Sequence, residues 1–369
     1  MRLRSCVAAM RCREALVAAF LIAIFCCGAF ASDQIRCAYC RKDITEGSYL
    51  TVDGKNYHPE HFLCAGCGKP IGQAAYFVEN GQYYDSVCHV ELFAPLCAYC
   101  GKPLDGIYVT YENAKYHDTC YREHVALRCS LCDELIQGEY IADEWGNSYH
   151  KFHQGAAPQC EYCLRFISDS LSMGGTTYPD GRRICGICLQ YAVMDESAAK
   201  EIMSQVKAVL WDKGIEIEEE NTPLLLVDKD KMAKINGLNK TDVTGYTFYE
   251  RSTGTRIPVT TRKYKIYMLA GLPRSVYIQG IAHELMHVWL YRNASLEMDD
   301  TLREGSCNYA SYLVLQRYEG KEVEYLIRNM IKDPDRIYGE GFRRVKAWVE
   351  QRSIPEWLDY LSHNNQISQ

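Results

Sequence analysis

The pattern of apolar and polar positions changes character twice along the 369-residue chain. Ala15 to Phe25 is almost wholly apolar, behind Arg2, Arg4, Arg11 and Arg13, and Ala29-Phe30-Ala31 precedes Ser32. A basic start, a short apolar run and a small-x-small site are the parts of a secretory leader, so residues 1–31 are predicted to be a signal peptide. The run is shorter than the roughly 20 residues that span a bilayer core. A secreted or periplasmic protein is therefore expected, membrane-anchored only if the leader stays uncleaved. From about residue 37 to 188, short aromatic-rich stretches such as Tyr49-Leu50-Thr51-Val52 and Ala75-Tyr76-Phe77-Val78 alternate with turn residues (Glu46-Gly47, Asp53-Gly54, Glu79-Asn80-Gly81, Asp180-Gly181). These predict small β-hairpins. Beyond Cys188 the period becomes helical. Asp195 to Trp211 places Ile202, Val206, Val209 and Leu210 on one side, as an amphipathic helix does. Leu224 to Val227 reads as a buried strand, residues 236–256 as a polar hairpin or mobile loop, and Tyr264 to Leu269 as a second strand. Another helix follows the breaker Gly271-Leu272-Pro273, with Ser275 as its N-cap and Ile278, Ile281, Leu285, Val288 and Trp289 as its apolar side. A last helix is predicted over Leu302 to Arg317. The fold class expected is multidomain α+β.

The cysteines sharpen this division. There are nineteen; Cys6, Cys12, Cys26 and Cys27 lie in the leader, fourteen fall between Cys37 and Cys188, and Cys307 stands alone. The fourteen belong to a unit repeated five times: Cys-x2-Cys, 16 to 21 residues, then a second pair with the same gap. The units are Cys37, Cys40, His58, His61; Cys64, Cys67, Asp85, Cys88; Cys97, Cys100, His117, Cys120; Cys129, Cys132, His150, His153; and Cys160, Cys163, Cys185, Cys188. A repeat near thirty residues marks an array of modules. Thiolate and imidazole are the donors tetrahedral Zn²⁺ prefers, and a two-residue gap lets one tight turn present two donors to one ion. A disulfide framework gives no reason for His or Asp to replace Cys at one repeat position. Structural zinc is therefore the reading, about five ions, with Asp85 the least secure ligand because His89 lies close by. Units this small cannot bury a core, so metal binding must supply their folding free energy.

Composition narrows function further. The chain is 47% hydrophobic and 24% charged, which fits folded domains rather than disorder. Lys plus Arg total 41 against 47 Asp plus Glu; with no basic block, nucleic acid is not an expected partner. Chemistry enters with His283-Glu284-Leu285-Met286-His287. Residues i and i+4 share a helix face, so two imidazoles can hold one zinc while Glu284 takes a proton from the attacking water. Glu304, on the next predicted helix after the turn-like Arg292-Asn293-Ala294-Ser295, is the candidate third ligand; its bland reading is a first-turn glutamate favoured by the helix dipole. Cys307, one turn further on, reads as a buried small residue. Tyr338 is the candidate oxyanion donor, with His363 a weaker one. Tyr264 to Leu269 would flank the substrate groove. One catalytic zinc is thus expected beside the structural ones.

Both halves resemble known families. Tyr57-His58-Pro59-Glu60-His61-Phe62-Leu63-Cys64-Ala65-Gly66-Cys67 looks like the centre of a LIM domain, where a two-residue spacer joins two zinc modules. The later joints of six or eight residues make the remaining modules LIM-like. HExxH, a reversing turn and a helix carrying Glu resembles the gluzincin metallopeptidases. Taken whole, the chain resembles the plant LIM-domain peptidases that act as ubiquitin receptors and limit organ growth. The likeness runs through Ala192-Val193-Met194-Asp195, Pro223-Leu224-Leu225-Leu226-Val227, Gly271-Leu272-Pro273-Arg274, the HExxH segment, Glu304-Gly305-Ser306-Cys307 and Tyr338-Gly339-Glu340-Gly341-Phe342. The resemblance implies zinc on His283 and His287, Glu304 within the matching downstream segment, and Glu284 as the catalytic glutamate. It also implies LIM modules that bind protein substrates and partners. Nothing resembles the upstream ubiquitin-interacting helices of those proteins, and an exported chain would not meet ubiquitin. The expected organisation is a leader (1–31), a LIM domain (37–89), three LIM-like modules (97–190) and a mainly helical metallopeptidase domain (191–369). Its expected activity is zinc-dependent endopeptidase. The alternative is a catalytically silent LIM-type interaction scaffold.

Overall fold

The computed structural model describes residues 2–5, 10–12, 35–45, 47–217, 222–237, 243–253 and 260–367. Most of the expected leader, including its apolar run and cleavage site, lies outside the described residues, as does Glu46. Within residues 1–31 the described parts are two short strands, Arg2–Ser5 and Met10–Cys12. The chain is a zinc-module array of small antiparallel hairpins followed by a largely helical region, and it divides into two compact units. One holds most of the chain before Cys129, and the other residues 141–369 with Ser130–Cys132.

In the first unit the repeats fold as the hairpin pattern predicts. Leu50–Val52 pairs with Lys55–Tyr57, Tyr76–Glu79 with Gln82–Asp85, and Tyr108–Tyr111 with Ala114–His117. Asp53-Gly54 and Asn80-Gly81 take left-handed backbone angles at both turn positions, the conformation that matches strand twist in two-residue hairpins. Phe62, in the two-residue spacer, explains why modules one and two are set so close. It is buried and packs against Tyr57, Tyr76 and Tyr83, with ring centroids 5.1–5.6 Å apart, making one small core from two modules.

Among the described residues beyond 190, the second unit is built from a three-stranded sheet and seven helices. Helix α1 (Glu196–Trp211) is capped by Asp195, whose side chain accepts from the Ala198 N–H, and buries Ile202, Val206 and Leu210. Strand β1 (Leu224–Val227) precedes the short helix α2 (Lys229–Ile235). Strands β2 (Gly245–Thr253) and β3 (Thr260–Leu269) form a long hairpin. The sheet order is β1-β3-β2, with β1 parallel to β3. Helix α3 (Arg274–Asn293) carries the HExxH segment, and α4 (Asp300–Leu315) carries Glu304. Helices α5 (Lys321–Lys332), α6 (Gly339–Glu350) and α7 (Ile354–His363) complete the bundle. Helix α3 is apolar nearly all round because it is enclosed on most sides; Tyr277, Ile281, Leu285 and Met286 have no exposed surface.

Of the hairpin or loop expected over residues 236–256, Gly245–Thr253 forms the first strand of a hairpin and pairs along its whole length with β3. Two expectations need correction. The strand over Tyr264–Leu269 is the central one; the edge strand β2 carries Thr247 to Glu284, while β3 meets the HExxH helix through Met268 at Gly280. Helix α3 starts at Arg274 with Pro273 at the cap position, so Ser275 lies inside the first turn and caps nothing.

The fifth zinc module belongs to the second compact unit, so that unit begins well before residue 191. The reason is a set of buried polar bonds. Arg182 donates to Asp180, to the Tyr162 hydroxyl (2.8 Å) and to the Ala270 carbonyl (2.8 Å). Asp180 accepts from the Lys229 N–H, and the Tyr178 hydroxyl donates to the Gly271 carbonyl (3.1 Å). Burial pushes the Asp180 carboxyl up, but Arg182 and the two N–H donors outweigh it and hold it below the usual carboxylate range. Gly271 permits this contact: its φ is +78°, and a Cβ there would lie 2.7 Å from the Tyr178 hydroxyl. Module five therefore grips the turn from which α3 begins. Breaking one side of a buried ion pair costs about 3 kcal/mol. Arg182→Ala should lower stability by that amount and raise amide exchange at Gly271 and Arg274 roughly a hundredfold; hydrogen-exchange mass spectrometry checks it, and wild-type protection would disprove the grip.

Candidate zinc centres

Each of the five predicted quartets comes together, with one ligand atom per residue and all four atoms within 4.8 Å of one another. The fifteen cysteines from Cys37 onward are free; even the close Cys163 and Cys185 sulfurs stand 3.6 Å apart, far beyond a disulfide bond of about 2 Å. Module five offers four thiolates, and modules one and four offer two thiolates with two imidazoles. In module three a single imidazole joins three thiolates, and in module two a single carboxylate does. All of these donor sets suit a tetrahedral structural zinc. At the second module the structure brings Asp85, and not His89, to the three cysteines. The Asp85 Oδ2 lies 3.2 Å from the Cys67 sulfur, while its Oδ1 accepts from the Cys88 N–H. His89 instead stacks on Phe77 and meets Glu79 at 3.0 Å.

The sixth cluster lies between α3 and α4. His283 Nε2 is 3.2 Å from His287 Nε2 and 3.1 Å from Glu304 Oε2, and His287 Nε2 is 3.5 Å from the same oxygen. Three ligands about 2.05 Å from one tetrahedral ion would lie about 3.3 Å apart, so the donors fit a shared metal. Burial works against the Glu304 carboxylate, yet the two imidazoles hold it well below the ordinary carboxylate range. Helix α4 also packs closely on α6, where Gly305 and Gly341 meet. A Cβ on Gly305 would meet the Gly341 carbonyl carbon at 2.4 Å, and one on Gly341 the Thr301 oxygen at 2.4 Å.

Around this cluster stand residues the sequence reading placed and others it missed. Glu284 is buried, and the Thr247 hydroxyl on β2 donates to its Oε2 at 2.6 Å. Gly245 brings the β2 backbone against the same carboxylate; a Cβ there would lie 2.8 Å from Oε1. Asn308 Oδ1 is 3.0 Å from His283 Nδ1, while its amide donates to the Tyr338 carbonyl. That pairing puts the imidazole proton on Nδ1 and leaves Nε2 for a metal. The buried Cys307 sulfur lies 3.4 Å from His287 Nδ1. Burial, then the charges of Glu304 and Glu284, push its thiol well above the ordinary value, so it serves as a neutral neighbour. Tyr338 lies with its ring 6.4 Å from that of His283, and burial pushes its hydroxyl up to about 12. His363 faces its own helix at Asp359 and is not among the residues lining the cavity. That cavity, about 350 Å³, is walled by Thr244 and Gly245 on one side and His283, Glu284, Asn308 and Tyr338 on the other. Asn308 was missed, although its place one turn after Glu304 on the same helix face was a usable signal; Thr247 carried none, because its stretch read as a hairpin or loop.

Comparison with known proteins agrees with this layout. The LIM domain family matches residues 37–93. "Protein DA1-related 7" of Arabidopsis thaliana is 26% identical over 397 residues, covering 89% of this chain and 63% of its own length. "Protein DA1" of the same plant is 25% identical, covering 66% and 57%. The chain is a homologue of the plant DA1 proteins. "LIM domain-containing protein HDR3" of Oryza sativa subsp. japonica, 24% identical over 88% of the chain and 72% of its own length, belongs to the same set. Coverage near nine tenths takes in both the zinc modules and the HExxH region. The chain spans only about three fifths of the length of the two Arabidopsis DA1 relatives.

If Asp85 is the fourth donor of the second module, Asp85→Ala lowers bound zinc by one ion per chain and His89→Ala leaves it unchanged. Elemental analysis of the purified variants measures this, and the reverse result would reassign the ligand.

Proposed function

We propose that this DA1 homologue is a zinc-dependent endopeptidase whose LIM-type modules bind protein substrates or partners. The observation that carries the reading is the meeting of His283, His287 and Glu304 beside a buried, hydrogen-bonded Glu284 at the wall of a cavity. Three protein ligands leaving a fourth position open is the arrangement of catalytic rather than structural zinc. When bound, zinc would polarise the scissile carbonyl and make water a stronger acid.

The chain's own residues supply the rest. Glu284 accepts the proton of the attacking water and hands it to the departing amine, so that one carboxylate acts as base and then as acid. The Thr247 hydrogen bond fixes one of its oxygens and leaves Oε1 toward Gly245. Asn308 and the Cys307 sulfur orient the two imidazoles through their Nδ1 atoms. The Tyr338 hydroxyl, kept protonated by its raised pKa, is the proposed donor to the oxyanion that forms at the carbonyl. Five structural zinc ions and one catalytic ion make six. Tyr39, Tyr99, Ile107 and Phe152 on the modules are each more than half exposed, which suits surfaces that bind other proteins.

Glu284→Gln should cut peptide hydrolysis about a thousandfold while total zinc stays unchanged, as measured with a quenched fluorescent peptide library and elemental analysis. Equal turnover by the variant would remove Glu284 from the mechanism. His283→Ala should lose activity together with one zinc.

A further inference from the structure

A second cavity, about 470 Å³, opens beside the first, between module five and the start of α3. Trp145, Tyr162 and Tyr191 line it from the module side, and Val276, Val323 and Leu326 from the helices. Val323 and Leu326 are buried at its floor, whereas Tyr191 is 66% exposed at its mouth. Tyr191 and Met173 leave apolar surface uncovered beside this cavity, and exposed apolar area commonly marks a binding site. Two features point to the occupant. Val276 lines this cavity and the candidate catalytic cavity alike, so the two adjoin at the start of one helix. The walls are also preset: the Arg274 N–H donates to the Tyr191 carbonyl, and Val193 and Leu272 are paired. A rigid apolar pocket binds without an ordering penalty.

We infer that this cavity is a specificity subsite that takes a bulky aromatic side chain of the peptide substrate, about three residues from the scissile bond. The inference rests on the endopeptidase reading and adds the substrate class. The spacing follows from the helix. Seven residues separate Val276 from His283, about 10 Å at about 1.5 Å each, and an extended peptide advances about 3.3 Å per residue. The module side of the cavity gives the fifth zinc module a part in selecting substrate.

The test uses the full zinc-loaded chain and peptides of one background sequence, each with a single Phe placed from one to four residues to either side of the cleaved bond. Burying one Phe contributes about 1.5–3 kcal/mol, so Phe at the third position on one side should raise kcat/KM at least tenfold over Ala. Val323→Trp, which fills the floor, and Tyr191→Asp, which places a charge at the exposed mouth, should abolish that preference. Both should cut a four-residue-span peptide, too short to reach the cavity, at the wild-type rate. A preference that survives both variants, or no positional preference in the wild type, overturns the subsite. Peptide binding to Glu284→Gln, measured by fluorescence anisotropy, separates the two readings. Phe-dependent binding without cleavage by the wild type would keep the cavity as a peptide site and refute the peptidase; cleavage without Phe-dependent binding would do the opposite.

Discussion

Two helices held side by side decide what this molecule can do. Helix α3 presents His283 and His287 one turn apart, and α4 presents Glu304 to the same point, so that three ligand atoms stand within 3.5 Å of one another. Uncompensated, a buried carboxylate beside two imidazoles is costly to keep. The surrounding structure is arranged to keep it. Gly305 against Gly341 removes the side chains that would force α4 and α6 apart, and Asn308 ties the His283 ring to the backbone at Tyr338. On the other flank, Gly245 and Thr247 bring the β2 edge strand against Glu284. A Cβ at Gly245 would press on the carboxylate, so the same glycine sets both the width of the cavity and the position of the glutamate.

The zinc modules solve a different problem with related chemistry. Each of the first four has little core of its own, and donor convergence must take the place of buried apolar area. Phe62 adds a shared core only where the spacer is two residues long. Module five is unlike the others in burying all four of its cysteines. It directs its polar side chains to the turn before α3, where Arg182 and Tyr178 hold Ala270 and Gly271, and to the start of α2, where Asp180 holds Lys229. A module that elsewhere serves as an exposed surface is here a foundation for the HExxH helix.

Much of this was legible because ligand spacing is local. A two-residue gap is one turn of backbone and i to i+4 is one turn of helix, so sequence distance stands in for spatial distance. Glu304 could be placed for the same reason, through a short reversing turn and the start of the next helix. The unread parts act at long range. Thr247 reaches Glu284 across 37 residues, and Arg182 reaches Ala270 across 88, with nothing in either local pattern to mark the partner. The groove-flanking position expected for Tyr264–Leu269 failed for a similar reason. Tyr264–Leu269 alternates in the same way at the centre of a sheet as at its edge, and only the pairing of β2 separates the two. The caps show where local chemistry competes: Asp195 caps α1 as its position suggests, whereas Pro273, with its fixed φ, starts α3 before Ser275 could.

The claim beneath all of this is that one metal ion sits among His283, His287 and Glu304. Anomalous diffraction recorded on either side of the zinc absorption edge, from crystals of the purified chain, tests it directly. The account requires a peak about 2 Å from His283 Nε2, His287 Nε2 and the Glu304 carboxylate, separate from those at the cysteine-rich modules. Full peaks at the modules with none between α3 and α4 would contradict it.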